Sequence, residues 1–208
     1  MNKTLENTLL AAHSASLASL QETVQNCHAC LLSKGRTQTV FGEGNPNASV
    51  VLIGEGPGQQ EDETGRPFVG RAGKLLTEIL ASVDLQRDRD IYICNVVKCR
   101  PPNNRAPLPE EVKACSGYLL GQIAAIKPAI ILLCGSTALK SVLGIATPIS
   151  KVRGQWLETP FGDNTLAMAI FHPSYLLRNP SKEPGSPKYW MWQDMKALRE
   201  KLNSLKAK

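Results

Sequence analysis

The 208-residue sequence is poor in aromatic residues and histidine, and it lacks any long hydrophobic run. Aromatic side chains make up 5% of the chain and there are three histidines. Each of these residues that falls near a motif is therefore a stronger candidate for a functional role. No stretch is long and apolar enough to cross a bilayer as a helix. The N-terminal segment has its short apolar patch broken by His13 and serines, which is a poor signal-peptide pattern. The sequence therefore predicts a cytoplasmic protein without a membrane segment.

Internal repeats and low-complexity tracts are also missing, and the length is that of one domain with at most a short appendage. We predict an amphipathic N-terminal helix over residues 1–26 and the main domain over residues 27–208. The net charge of +6 fits a nucleic-acid partner, although many basic proteins bind none. No zipper pattern or large apolar patch is visible, so we expect a monomer.

Short apolar runs alternate with segments of helical periodicity. Four runs predict strands: Val50–Gly54, Asp90–Asn95, Ala129–Cys134 and Leu166–Phe171. The principal helices are predicted over Arg71–Val83, Pro109–Ile126, Ser136–Leu143 and Pro187–Leu205. This alternation is typical of an α/β protein whose mostly parallel sheet is covered by helices on both faces.

Polar and glycine-rich segments follow three of the predicted strands. The sequence GEGPG begins at Gly54, Asn95 ends the second strand, and His172 comes directly after the fourth. Ligands of open α/β sheets bind outside the carboxyl ends of the strands, so we expect these features to meet at one rim. The loops Gly54–Gly70 and Arg100–Pro109 are predicted at the same edge.

The cysteines divide into two sets. Cys27 and Cys30 form a CxxC pair, and Cys99 and Cys115 follow in a polar segment and in a predicted helix. Four thiolates are enough for a zinc or an iron–sulfur site, and spacing alone leaves the metal open, as it leaves open His28 in place of one sulfur. The other two lie inside predicted strands, where a thiol packs as a small hydrophobe: Cys94 and Cys134.

Three segments together resemble the motifs of the family 4 uracil-DNA glycosylases. They are GEGPGQQEDETGRPFVGRAGKLL (Gly54–Leu76), NVVKCRPPNNRAP (Asn95–Pro107) and HPSYLLRNP (His172–Pro180). They come in the family's order and at its spacing, and the four cysteines of the first set fall at the family's cluster positions. The resemblance runs from about Cys27 to Trp192.

The resemblance implies a three-layer α/β/α sandwich with a central four-stranded parallel sheet. It implies a structural [4Fe–4S] cluster near the DNA-binding surface, with Cys27, Cys30, Cys99 and Cys115 as ligands. It also implies hydrolysis of the N-glycosidic bond of deoxyuridine in single- or double-stranded DNA, which begins base excision repair.

The resemblance implies that three side chains contact the uracil base. Phe68 would stack on the flipped base, Asn95 would read its N3–H and O4, and His172 would donate a hydrogen bond to O2 as charge builds on the departing base. Each residue also has a plain structural interpretation. Phe68 would then be a core residue, Asn95 would cap a strand or turn, and His172 would be a packed histidine.

The first strand is followed by a tight turn of Gly54, Glu55 and Gly56. The resemblance implies that the main chain of this turn contacts uracil. Glu55 is a candidate catalytic residue that either assists the reaction or shapes the pocket against the methyl group of thymine. Gly56 takes the place of the aspartate that orients water in family 1 enzymes. No carboxylate is thereby assigned as a water-activating base. We therefore predict that stabilisation of the leaving uracil makes the largest contribution to catalysis.

By resemblance, the segment Tyr175–Arg178 is a loop that enters the DNA duplex. Leu176 or Leu177 would wedge between bases, and Arg178 would contact phosphate. Other basic residues are candidates for phosphate contacts or for ordinary solvated surface: Lys98, Arg100, Arg105 and Lys182.

Two other functions compete with uracil excision. A non-catalytic DNA-binding protein with a structural metal would keep the cysteines and the basic surface. The joint presence of Phe68, Asn95 and His172 opposes that interpretation. Relatives that become covalently trapped on their product carry a histidine-containing insertion after the asparagine motif, which NVVKCRPPNNRAPLP lacks.

Overall fold

A computed structural model describes residues 16–162 and 164–206. Within them the chain forms an α/β fold with a six-stranded mixed sheet and eight α-helices. The strands are β1 (Glu43–Gly44), β2 (Val50–Gly54), β3 (Ile91–Asn95), β4 (Ile130–Cys134), β5 (Trp156–Glu158) and β6 (Leu166–Ile170). The helices are α1 (Leu17–Gln25), α2 (Gln59–Thr64), α3 (Arg71–Ala81), α4 (Pro109–Ile126), α5 (Ser136–Leu143), α6 (Ile149–Val152), α7 (Pro173–Arg178) and α8 (Pro187–Lys206).

The strands lie in the order β1-β3-β2-β4-β6-β5. The four strands expected from the sequence pair with parallel neighbours, whereas β1 and β5 pair antiparallel at the two edges. The sheet is therefore wider than predicted and mixed. The two edge strands escaped prediction because runs of two and three residues are too short to show a period.

The inner strands are buried on both faces, so their alternating side chains feed two separate cores. On one face, Val51 and Ile53 join a cluster that includes residues of α4 and α5. On the other face, Val50 and Leu52 join a cluster that includes residues of α3 and α8. Helices thus cover both faces and leave the carboxyl ends of the parallel strands as the open rim.

The predicted helices are present with small changes of length. Helices α4 and α5 have the predicted bounds, α3 ends at Ala81 and α8 continues to Lys206. Helix α1 lies within the predicted N-terminal helix and packs on α4, where Leu20 faces Gly121. Residues 1–15 of that prediction lie outside the described residues. No helix in the described ranges is long and apolar enough to span a membrane.

Two segments that we expected as loops contain short α-helices. Residues Gln59–Thr64 form α2 inside the predicted loop Gly54–Gly70, with Glu61 and Asp62 in its first turn, where the helix dipole favours acidic residues. The segment Tyr175–Arg178 belongs to α7, which begins at Pro173 after His172 as the N-cap. The prediction of a loop there was wrong because proline at the first helical position favours helix initiation.

Candidate active site

The rim of the sheet carries the residues that the sequence placed there. Gly54 at the end of β2 is directly paired with Asn95 at the end of β3, and His172 follows β6 and caps α7. Asn95 and His172 line a pocket of about 470 Å³ together with Phe68 and Glu55. Four segments that are far apart in the sequence therefore meet at one cavity.

Gly54 lies where two of these side chains converge. A Cβ atom at this position would overlap the Asn95 Oδ1 atom and would lie 2.5 Å from Cζ of Phe68. Any residue other than glycine would push the amide and the ring apart. Gly54 therefore sets the close approach of Phe68 and Asn95.

Asn95 presents an unsatisfied acceptor. Its side chain is 2% exposed, and its Oδ1 is the one buried side-chain nitrogen or oxygen without a hydrogen-bond partner in the part of the chain that the structure describes. An unpaired buried acceptor costs about 1–3 kcal/mol, which a ligand with a matching N–H donor would recover. The Asn95 Oδ1 atom therefore makes no capping hydrogen bond within the described residues.

His172 is held in one tautomer by Ser174. The backbone N–H of Ser174 donates to Nδ1 of His172 at 3.2 Å, and the Ser174 Oγ atom lies 2.8 Å from the same nitrogen. Because Nδ1 accepts, the proton of the neutral ring sits on Nε2. Burial lowers the pKa of His172 despite an opposing effect of Glu55. The pocket therefore contains a neutral imidazole with an Nε2–H donor.

Phe68 sits beside the imidazole in a turn of unusual backbone geometry. Its ring centroid lies 5.7 Å from that of His172, and its φ of +52° falls in the left-handed region that side chains rarely adopt. Arg87 donates to the carbonyls of Pro67 and Phe68, both at 2.6 Å. Gly73 permits this turn, because a Cβ there would overlap the Phe68 carbonyl.

The other side of the same turn is held by Glu61. Its Oε1 accepts hydrogen bonds from the backbone N–H groups of Val69 and Gly70, both at 2.8 Å. The Phe68 turn is thus fixed through its carbonyls on one side and its amides on the other. Neither Arg87 nor Glu61 was predicted in this role, because no sequence spacing reveals a contact between distant segments.

Glu55 and Gly56 form one wall of the pocket. The Glu55 carboxylate accepts a hydrogen bond from the Thr137 hydroxyl, which fixes it beside the cavity. Thr137 escaped prediction. Its only signal in the sequence is its position in the helix that follows β4, on the same rim as the other site residues.

The residues predicted to enter DNA differ in exposure. Leu176 is 1% exposed and belongs to the core formed with α3 and α8, so its prediction as a wedge is wrong. Leu177 is 40% exposed and Arg178 lines the pocket. The apolar face of α7 requires the inward position of Leu176, which leaves Leu177 as the apolar side chain available to a partner.

The basic residues of the asparagine motif make contacts with other residues of the same chain. Lys98 is 1% exposed, which contradicts its prediction as a phosphate contact. The guanidinium of Arg105 pairs with the Glu111 carboxylate at 2.6 Å while it also lines the pocket. Arg100 donates from Nε to Asn104 at 2.7 Å.

The first set of cysteines lines a second, small pocket between α1, α4 and the segment after β3: Cys27, Cys30, Cys99 and Cys115. Arg36 donates to Sγ of Cys99 at 3.2 Å, and the backbone N–H of Lys98 donates to Sγ of Cys115 at 3.3 Å. Among the described residues, no group of three or more His, Cys, Asp or Glu side chains is arranged to hold a metal ion. His28 is exposed, and the other two cysteines are fully buried in the sheet as predicted: Cys94 and Cys134.

Comparison with known proteins identifies the family of the chain. The family model of the uracil DNA glycosylase superfamily matches residues 41–196. A type-4 uracil-DNA glycosylase of Thermotoga maritima is 53% identical over 165 residues, which cover 79% of this chain and 84% of the relative. Type-4 uracil-DNA glycosylases of Archaeoglobus fulgidus and Pyrobaculum aerophilum are 45% and 42% identical over 170 residues, which cover 79% of this chain and 85% and 86% of the relatives. The chain therefore belongs to the uracil DNA glycosylase superfamily, and within it to the type-4 proteins.

Proposed function

We propose that this chain hydrolyses the N-glycosidic bond of deoxyuridine in DNA, which releases uracil, leaves an abasic site and begins base excision repair. One observation carries the proposal. The unpaired Oδ1 of Asn95, the Nε2–H donor of His172 and the ring of Phe68 border one pocket at the rim of the sheet. An acceptor, a donor and a flat apolar face match the edge and face of a uracil flipped out of the duplex.

The amide of Asn95 discriminates between pyrimidines. Its Oδ1 accepts the N3–H of uracil while its Nδ2 donates to O4. Cytosine presents an acceptor at N3 and a donor at N4, so it would leave buried groups unpaired. The ring of Phe68 supplies the contact that replaces base stacking in the duplex.

His172 stabilises the leaving group. Negative charge builds on uracil O2 as the glycosidic bond lengthens, and the neutral imidazole donates its Nε2–H toward that oxygen. A preorganised donor of this kind lowers a barrier by roughly 2.7–4 kcal/mol. Ser174 fixes the ring in the donating tautomer before the substrate arrives, so no reorientation is needed during the reaction.

Glu55 is the candidate for a second catalytic role. Its carboxylate is held by Thr137 at the pocket wall, and Gly56 beside it provides no carboxylate of its own. The variants Glu55→Gln and Glu55→Ala separate the two functions proposed for this residue, because glutamine keeps the side-chain volume and alanine removes it. Slower release of uracil by Glu55→Gln indicates that the carboxylate assists the attack of water, whereas new release of thymine by Glu55→Ala indicates that the side chain fills the space of the thymine methyl group.

Contact with DNA is proposed for the residues at the mouth of the pocket. Arg178 lines the cavity, and its neighbour Leu177 is the exposed leucine of α7. Leu177 would occupy the space that the flipped nucleotide leaves, and Arg178 would neutralise a nearby phosphate. Monomeric state and cytoplasmic location stay predictions from the sequence.

We propose a structural [4Fe–4S] cluster at the second pocket, with Cys27, Cys30, Cys99 and Cys115 as its ligands. The chemistry of the donor set supports this, since four thiols line one pocket and N–H groups point at three of the sulfurs. When bound, the cluster would supply a cross-link between the N-terminal CxxC segment and the segment after β3. No step of the hydrolysis uses it.

Iron content tests the cofactor. We expect purified protein to be brown and to contain iron, and we expect Cys99→Ala to lose it. The matched control is Cys134→Ala, which removes a thiol from the sheet core and keeps the iron. Zinc in a colourless protein, or equal iron in both variants, would overturn the ligand assignment.

Uracil release tests the activity. A DNA oligonucleotide with one deoxyuridine is expected to become alkali-labile at that position, and the same oligonucleotide with thymidine or deoxycytidine is not. We expect His172→Ala and Asn95→Ala each to slow the release by about 10²–10³-fold, the usual cost of one lost transition-state donor. The exposed Asn203→Ala serves as the matched control. Wild-type rates in both site variants would reject the assignment.

A further inference from the structure

Lys98 is a buried lysine that has no carboxylate partner among the described residues. Its side chain is 1% exposed, and its Nζ donates to the main-chain carbonyl of Asn95 at 2.8 Å and to Oε1 of Gln122 at 2.5 Å. Both acceptors are neutral. No ion pair joins Lys98 to a carboxylate within residues 16–162 and 164–206. Burial of an ammonium group without a counter-charge is strongly unfavourable, so an anion close to Lys98 would stabilise it.

The neighbours of Lys98 are arranged to receive it. Gln122 is completely buried and donates from Nε2 to the carbonyl of Phe41 at 2.9 Å and to the hydroxyl of Tyr92 at 3.3 Å. Both donor contacts point the amide oxygen toward the lysine. This network orients the ammonium group without neutralising it.

The cysteine pocket is the candidate source of that negative charge. Lys98 lines that pocket, its backbone N–H donates to Sγ of Cys115, and it directly precedes Cys99. Four thiolates outweigh the positive charge of a [4Fe–4S] core, so a loaded centre is an anion. The lysine therefore stands between an anionic site and the main chain of the uracil-reading asparagine.

We propose that Lys98 is a positioning residue that couples the cluster to the uracil pocket. Its ammonium group balances the charge of the cluster. The same ammonium group holds the main-chain carbonyl of Asn95, so that the side-chain amide of Asn95 faces the base. The inference rests on the cofactor of the proposed function and extends it. The cluster then supports the orientation of Asn95 as well as tying together two segments of the chain.

The variant Lys98→Met tests the charge, because methionine keeps most of the side-chain volume and removes the ammonium group. Loss of a nearby positive charge makes addition of an electron less favourable, so the midpoint potential of the cluster is expected to become more negative. Lys34→Met is the matched control, since it removes an exposed lysine close to Cys30 and is expected to leave the potential unchanged. Lys98→Arg is expected to retain a potential near that of the wild type.

A purely structural role would not change the potential, so the voltammetry of iron-loaded protein decides the point without DNA. Gln122→Glu covers the case in which Lys98→Met does not fold, because a carboxylate at Nζ neutralises the ammonium in place and also lowers the potential. Unchanged potentials in the folded variants would overturn the proposal, and a wild-type protein without iron would overturn the cofactor as well.

The link to Asn95 has a second readout. With iron content equal to that of the wild type, Lys98→Met is expected to reduce kcat/KM for uracil release by at least about tenfold, the effect of losing a hydrogen bond to a charged group. Lys34→Met is expected to keep the wild-type value. Full activity in iron-loaded Lys98→Met would show that the lysine does not position Asn95. Absence of activity in the wild type would instead reject the proposed function and leave the potentials to be judged separately.

Discussion

The guanidinium of Arg87 holds the backbone turn that carries Phe68. It donates to the carbonyls of Pro67 and Phe68, and its own orientation is fixed by the carboxylate of Glu43 at 2.7 Å. These bonds stabilise the left-handed conformation of Phe68, which aims the ring across Gly54 toward Asn95. A residue outside the pocket thus determines the position of the Phe68 ring.

Replacing Arg87 should impair uracil excision through Phe68. Arg87→Met removes both carbonyl contacts, at about 1 kcal/mol for each hydrogen bond, and kcat/KM should fall by about tenfold or more. Arg89→Met is the matched control, because Arg89 is exposed and pairs with the adjacent Asp90. Steady-state kinetics with thermal melts check this, and equal kinetics in the two variants would contradict it.

Adding one methyl group at Gly54 should abolish the pocket. In Gly54→Ala the Cβ overlaps the amide oxygen of Asn95 and presses on Phe68. A displacement of about 1 Å in a reacting group can cost roughly 10²-fold in rate, and a loss of at least that size is expected here. Gly117→Ala is the control. It lies in α4 with open space at its Cβ, and it should raise helix stability by roughly 0.5–1 kcal/mol with unchanged activity.

The strand ends explain why much of this site could be predicted from the sequence. Gly54, Asn95 and His172 each follow an apolar run, and parallel strands bring such positions to one rim. Phe68 was assigned by the family resemblance, and the glycine and proline around it in the sequence favoured a loop over a core position. These signals are local in the sequence, so they can be recognised without knowledge of the tertiary structure.

The supporting residues could not be predicted because each acts across a tertiary contact. Arg87 contacts a turn 19 residues away, and Thr137 contacts Glu55 from 82 residues away. The burial of Lys98 and Leu176 was misjudged for the same reason. A lysine in a polar motif reads as surface until the fold closes over it, and a helix of six residues shows too little periodicity to reveal its inner face.

The pH dependence of kcat/KM should report the buried state of His172. Burial lowers the pKa of the imidazole below its ordinary value of 6.5. The neutral donor therefore persists as the pH falls past 6.5, and activity should decline only at lower pH, where protonated Nδ1 loses the hydrogen bond from Ser174. Rate profiles and ¹⁵N NMR of the ring check this. A His172 titration above pH 6.5, or an Nδ1–H tautomer, would contradict the assignment.

The two adjacent leucines of α7 should behave in opposite ways. Leu176→Ala leaves a cavity in the core, and it should reduce the free energy of unfolding by about 2–5 kcal/mol. Leu177→Ala should leave stability unchanged and slow excision from double-stranded DNA more than from single-stranded DNA, because the wedge is needed only in a duplex. Chemical denaturation and excision assays on both substrates distinguish the two. Equal effects of Leu177→Ala on both substrates would exclude the wedge.

The most direct measurement of the central claim is a crystal structure of the protein with uracil bound. The expected complex has the base under the ring of Phe68, its N3–H and O4 on the amide of Asn95, and its O2 facing Nε2 of His172. A separate cavity of about 540 Å³, which lies between α3 and α8 and is distinct from both the rim pocket and the cysteine pocket, provides the contrast. Uracil in that cavity, or at the rim without contact to all three side chains, would contradict the proposed mechanism.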